Sequence, residues 1–240
     1  MTRVLAALLL AISLRGCVAY EYEHEFWLDV DGSGTVYVTG RPSLWAGFKG
    51  LSASDDRPDE SRAAVRELFE RSGLRVRRVT WTKRQGRPYL FISARFDDVN
   101  RLSGTPAFPD LRIALRREGE RLSLEGAWQG LPGGPDPPPE DRAGPMAVRF
   151  HLPSKVYEHS NAMDGVERGN IVGWRQEVAA GLGGQALPFR ALIDRRSILL
   201  STVGLFAGAI ALGLSLVALA VYLTFRKGRA ARQAGPPQGS

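Results

Sequence analysis

Hydrophobic residues keep three different spacings along this chain. Between 198 and 225 there is no charged side chain at all. A bilayer core needs about 20 mostly apolar helical residues, and a run of 18 or more reads as a spanning helix. Arg195-Arg196 before the run and Arg226-Lys227 after it can set their charges in the two headgroup layers. This stretch predicts a transmembrane helix over 198–225.

Upstream, the period is two. Tyr20, Tyr22, His24, Phe26, Leu28 and Val30 fall on one face of a predicted strand, with Glu21, Glu23, Glu25, Trp27 and Asp29 on the other. Asp31-Gly32-Ser33-Gly34 turns the chain into a second strand over 35–39. Residues 74–83 and 88–96 form another hairpin around Arg84-Gln85-Gly86-Arg87, and 111–115 with 121–128 a third. Strands are also expected over 146–152 and 186–193, with a turn entering a strand over 166–174. Only one segment keeps a helical period. Pro58, Asp59 and Glu60 supply helix-start chemistry, Val65, Leu68 and Phe69 share a face, and Gly73 caps the end, so a helix is expected over 59–72. Residues 40–51, with Pro42, Leu44, Trp45 and Phe48 among glycines, read as an apolar loop. The acidic stripe of Glu21, Glu23 and Glu25 reads as a solvated face, because three carboxylates on one strand do not converge on a point. The order of hairpin, helix, hairpin, hairpin implies an α+β domain: an antiparallel sheet of hairpins with one main helix, plus the single C-terminal transmembrane helix. Residues 131–145 are rich in proline and form an extended insertion.

The N-terminus adds a direction. Arg3 begins a short positive region, and 4–14 is apolar but too short to span. Leu14-Arg15-Gly16-Cys17 follows, and it resembles the lipobox of bacterial lipoproteins. Leu14 and Gly16 fit that pattern; Arg15 departs from the small or apolar residue usual there. Cys17 is the single cysteine, so the fold rests on its core without an internal disulfide. The resemblance implies a signal peptide over 1–16, lipidation (palmitate among the acyl chains) at Cys17 and an exported domain over 17–194. The tail over 226–240 carries Arg226, Lys227, Arg229 and Arg232 without an acid, as a cytoplasmic end should. The expected location is the cytoplasmic membrane, crossed once, with the domain outside and the C-terminus inside.

Phe150-His151-Leu152-Pro153-Ser154-Lys155-Val156, then Asn161-Ala162, then Gly169-Asn170-Ile171-Val172-Gly173-Trp174, lead into the span and the basic tail. That layout resembles the LppM-type family of bacterial envelope lipoproteins. The resemblance implies a lipobox, one exported α+β domain, one C-terminal membrane helix and binding of envelope lipid or glycolipid. The proline-rich insertion and Arg15 depart from the family pattern.

Candidate chemistry changes this picture little. The net charge of +7 comes largely from arginines interleaved with acids, and no nucleic-acid-binding module accompanies them. His151 and His159 bracket a Pro-Ser turn and could approach each other, but no third zinc ligand is apparent. There is no Gly-x-Ser-x-Gly elbow and no phosphate- or dinucleotide-binding glycine motif with its needed context. Asp97 and Asp98 are adjacent and would point apart in a strand. The sequence therefore predicts a protein that is not an enzyme and needs no cofactor. In the span, Gly204 and Gly208 are spaced for a close helix–helix contact, which admits a homodimer. Trp45, Phe48, Trp81, Trp128 and Trp174 are candidates to line an apolar pocket, with the core as their plainer home. The expected function is binding of lipid or glycolipid at the membrane. The alternative is an accessory subunit docking on another envelope membrane protein.

Overall fold

The computed structural model describes residues 20–133, 136–160, 170–195 and 198–233. They belong to two units, one ending at Arg195 and the other beginning at Arg196. The first unit is α+β. Its strands form a six-stranded sheet and a four-stranded sheet.

The six-stranded sheet grows from the hairpin of β1 (Tyr22–Leu28) and β2 (Gly34–Gly40). On β1 the residues with even numbers are buried, as the period of two requires. β3 (Arg75–Arg84) and β4 (Arg87–Phe96) form the second hairpin. Its two-residue turn has Gln85 at φ 51° and Gly86 at φ 78°, the left-handed pair that matches strand twist. β7 (Pro145–His151) adds to the other side of β1, and β9 (Ile171–Glu177) adds to β7. β1 and β7 run parallel, in register from Tyr22 with Met146 to Trp27 with His151. That one pair departs from the antiparallel expectation. Its strands are far apart in sequence, so no local pattern announces the pairing.

The four-stranded sheet holds β5 (Leu111–Glu118), β6 (Arg121–Trp128), β8 (Val156–His159) and β10 (Leu187–Asp194). β5 lies at its edge, and side chains close part of that edge. Ser103 Oγ accepts from the Ile113 amide at 2.9 Å and donates to its carbonyl at 3.0 Å, while Asn100 Oδ1 accepts from the Leu115 amide at 2.7 Å. Capping an edge in this way removes a template for unwanted pairing.

The 40–51 segment is a correction. It is not a loop but a helix, α1 (Pro42–Lys49), with Pro42 at its start and Gly50 at φ 65° closing its end. Trp45 and Phe48 are the large apolar side chains it buries. α2 (Pro58–Arg71) is the expected helix, with Val65, Leu68 and Phe69 inward. A 3-10 turn (Val99–Arg101) follows β4, capped by Asp98. α3 (Pro139–Arg142) is a single turn inside the proline-rich insertion, and α4 (Val178–Leu182) leads towards β10.

One hydrophobic cluster joins both sheets and the two longer helices of this unit. Phe150 of the larger sheet meets Phe189 of the smaller at 5.1 Å between ring centroids, and His24 meets Trp128 at 4.3 Å. Behind β6 the chain is held close by glycine. Gly130 N donates to Gly181 O at 2.9 Å, and a Cβ on Gly130 would stand 2.9 Å from both that oxygen and Leu182 Cα. Leu131 N donates to Gly47 O at 2.8 Å, which ties the same segment to α1.

The second unit contains α5 (Ile198–Gln233), whose stretch Thr202–Leu223 is long and apolar enough to cross a membrane. Its side chains over that stretch are exposed.

Candidate functional site

The end of α1 carries a charge into the core. Lys49 Nζ lies 2.7 Å from Asp110 Oδ1, and both side chains are wholly buried. The other carboxylate oxygen accepts from Trp128 Nε1 at 2.7 Å. Asp110 precedes β5 and Trp128 ends β6, so this one carboxylate binds α1 to both strands. Two charges taken out of water cost several kcal/mol each, and only close, fully bonded geometry recovers that. Burial pulls the Lys49 ammonium down and pushes the Asp110 carboxyl up, while each partner's charge opposes the shift of the other. The Lys49 ammonium also sits 4.6 Å from the centroid of the Phe108 ring.

His24 lies against this pair, fully buried, with neither ring nitrogen hydrogen-bonded. Burial, and then the Lys49 charge, hold it well below its ordinary value of 6.5. The imidazole is therefore an aromatic core residue, edge-on to Tyr22 and Phe108 and tilted against Trp128.

Beside the Asp110 backbone the surface opens into a cleft. The outer face of β5 presents Arg112, Ala114 and Arg116, opposite Ala127, Glu125 and Ser123 of β6. Small side chains at Ala114 and Ala127 leave the floor low. A cavity of about 560 Å³ lies along β5, between Ser103, Gly104, Pro109 and the strand. A second, of about 280 Å³, lies between Pro109, Leu131, Pro132, Ala127 and Ala186. Pro109 and Arg112 line both, so the two adjoin. Together they fall in the range of roughly 300–1,000 Å³ typical of small-molecule sites. Across the sheet, Glu158, His159, Ser160, Arg190 and Leu192 line a smaller cavity of about 130 Å³.

The residues singled out by sequence are placed as follows. Cys17 and the 1–16 segment lie outside the described residues, as does Asn161-Ala162. Gly204 and Gly208 lie on α5, where an added Cβ would meet nothing within 4 Å. Trp45, Phe48, Trp128 and Trp174 are core, and Trp81 packs partly buried against it. The structure does not bring His151 and His159 together, since they lie in different sheets. Among the described residues no three His, Cys, Asp or Glu side chains are grouped to hold a metal ion. Asp97 pairs with Arg75.

The acidic stripe is a second correction. It is not a solvated face: each carboxylate has a side-chain partner distant in sequence. Arg87 Nη1 donates to Glu21 at 2.8 Å and Tyr89 to its other oxygen at 3.0 Å; Glu23 lies 3.5 Å from Arg149; Glu25 lies 2.6 Å from His151 Nε2. Trp27 stacks on His151 at 3.8 Å. These partners sit on strands that only the fold places beside β1. Lys49 and Asp110 carried a faint sequence clue; Arg112 carried none. Lys49 is one of four lysines and is enclosed by Phe48 and glycines, and Asp110 sits between Pro109 and Leu111.

No protein-family model matches this chain, and no curated protein matches it. Among solved structures, it is similar to the folded domain of the LppM protein of Mycobacterium tuberculosis, at 15% identity. That likeness covers 75% of this chain and 94% of that one, with a TM-score of 0.40.

Two outcomes are expected from the buried cluster. Lys49→Met strands the Asp110 charge and should cost about 3–5 kcal/mol in urea denaturation of the full chain in detergent; adding Asp110→Asn should return part of that loss. The unfolded chain binds a proton at His24 that the folded chain refuses. Stability should therefore fall by up to about 1.4 kcal/mol per unit as pH drops below 6.5, and His24→Phe should remove that contribution to the slope.

Proposed function

We propose that this chain is a membrane-anchored bacterial envelope lipoprotein without enzymatic activity, which binds lipid or glycolipid at the outer face of the cytoplasmic membrane. In this reading 1–16 is a removed signal peptide, Cys17 is lipidated, 17–194 is exported, 198–225 spans and 226–240 is cytoplasmic. No metal or cofactor takes part. The observation that carries the reading is the adjoining pair of cavities beside β5, walled by Pro109, Leu131, Pro132 and alanines, in a chain that also holds a helix able to cross a membrane. In the sequence only Arg195, Arg196 and Ser197 separate β10 from that helix. Proline, leucine and alanine surface in that cleft, in a chain that also carries a helix able to cross a membrane, suits the apolar part of a lipid.

The second reading is an accessory subunit. The exposed apolar side chains of α5, with room at Gly204 and Gly208 for a neighbouring helix, favour it.

Full-length protein extracted from its native membrane in mild detergent separates the two. Lipid analysis of the purified material should find close to one lipid per chain. Lipid-free protein that always brings the same second polypeptide would replace the first reading with the second.

A further inference from the structure

Four charged residues border the joined cavities beside β5: Arg112, Arg116 and Glu125, and Asp110, whose side chain turns into the core. Three of them are already committed. Asp110 spends one oxygen on Lys49 and the other on Trp128, each at 2.7 Å. Arg116 and Glu125 hold each other at 2.6 Å. Arg112 remains, exposed, on the wall shared by both cavities, and it makes no ion pair among the described residues. The register explains why. Arg112 stands opposite Ala127, which stands opposite Pro188, so no carboxylate shares its row across the sheet. Ala114 follows it on the same face, and Glu125 beyond is held by Arg116.

We infer that Arg112 reads a single phosphate or carboxylate on an amphiphilic ligand whose apolar body lies in the cavity between Pro109, Leu131, Pro132 and Ala186. A free guanidinium is a fork matched to two oxygens of one anion. The inner cavity otherwise mixes proline, leucine and alanine surface with the Gln129 amide and backbone, whose amides are spent where Gln129 N bonds Asp110 O, Gly130 N bonds Gly181 O and Leu131 N bonds Gly47 O. One unpaired cation beside proline, leucine and alanine surface suits one anion on an apolar body. A zwitterion would bring a second charge with no partner, and a bare anion would leave the walls unfilled. The inference rests on the lipid-binding reading above and adds to it a residue and a charge.

The same chemistry could come from a membrane lipid headgroup or from a soluble anion, and three probes distinguish them. Full-length protein in phosphatidylcholine nanodiscs is titrated by calorimetry with dihexanoyl phosphatidic acid, dihexanoyl phosphatidylcholine and inorganic phosphate. The phosphatidic acid should bind saturably and the other two at least about tenfold more weakly. Arg112→Gln should weaken it about tenfold or more, the loss of one charge-assisted hydrogen-bonded contact. Arg77→Gln, on the edge of the larger sheet, should leave it unchanged. Equal affinity in Arg112→Gln, or inorganic phosphate binding as tightly as the phosphatidic acid, overturns the inference. If Arg112→Gln protein still leaves the native membrane with its lipid, the inference falls and lipid binding stands. If the unaltered protein binds none of the probes and carries no lipid, both fall.

Discussion

Lys49 and Asp110 meet where there is no water to share their charge, and the arrangement around them depends on that meeting. α1 ends at Lys49, β5 begins just after Asp110, and β6 ends at Trp128, which bonds the same carboxylate. Removing any one partner leaves a buried polar group unpaired, which costs more than the bond itself is worth. The three elements are therefore fixed together as a unit. The segment that follows Trp128 is then led over α1 and α4 through Leu131 and Gly130. The inner cavity forms between that segment and the residues preceding β5. A charge pair in the core thus sets the shape of a cleft on the surface.

Neutral His24 fits this account. Its ring fills space among Tyr22, Phe108 and Trp128, and the Lys49 charge beside it disfavours a second cation. The cost is an imidazole whose two nitrogens have no partner among the described residues. The aromatic contacts around it must offset that cost.

Much of the α+β domain was legible in the sequence because its hairpins are local. The period of two in β1, the Gln85-Gly86 turn and the Pro58-Asp59-Glu60 helix start each specify structure within a few residues. α1 was hidden by its own shortness: eight residues rich in apolar side chains keep no clear helical period, although Pro42 and Gly50 mark both of its ends. The division into two sheets and the parallel pairing of β1 with β7 depend on contacts between distant residues. So do the partners of Glu21, Glu23 and Glu25. The cleft was not legible at all. It depends on what is missing, small side chains at Ala114 and Ala127 and an arginine left unpaired, which only the strand register brings together.

We propose that the domain is tethered to one membrane from both ends, by lipid on Cys17 and by the helix that follows β10. The intact mass of the full chain, extracted from its native membrane in detergent, tests it most directly. The predicted result is a mature chain beginning at Cys17 with the added mass of a diacylglyceryl group. A mature chain without acyl mass would contradict it, leaving the C-terminal helix as the sole anchor in this account.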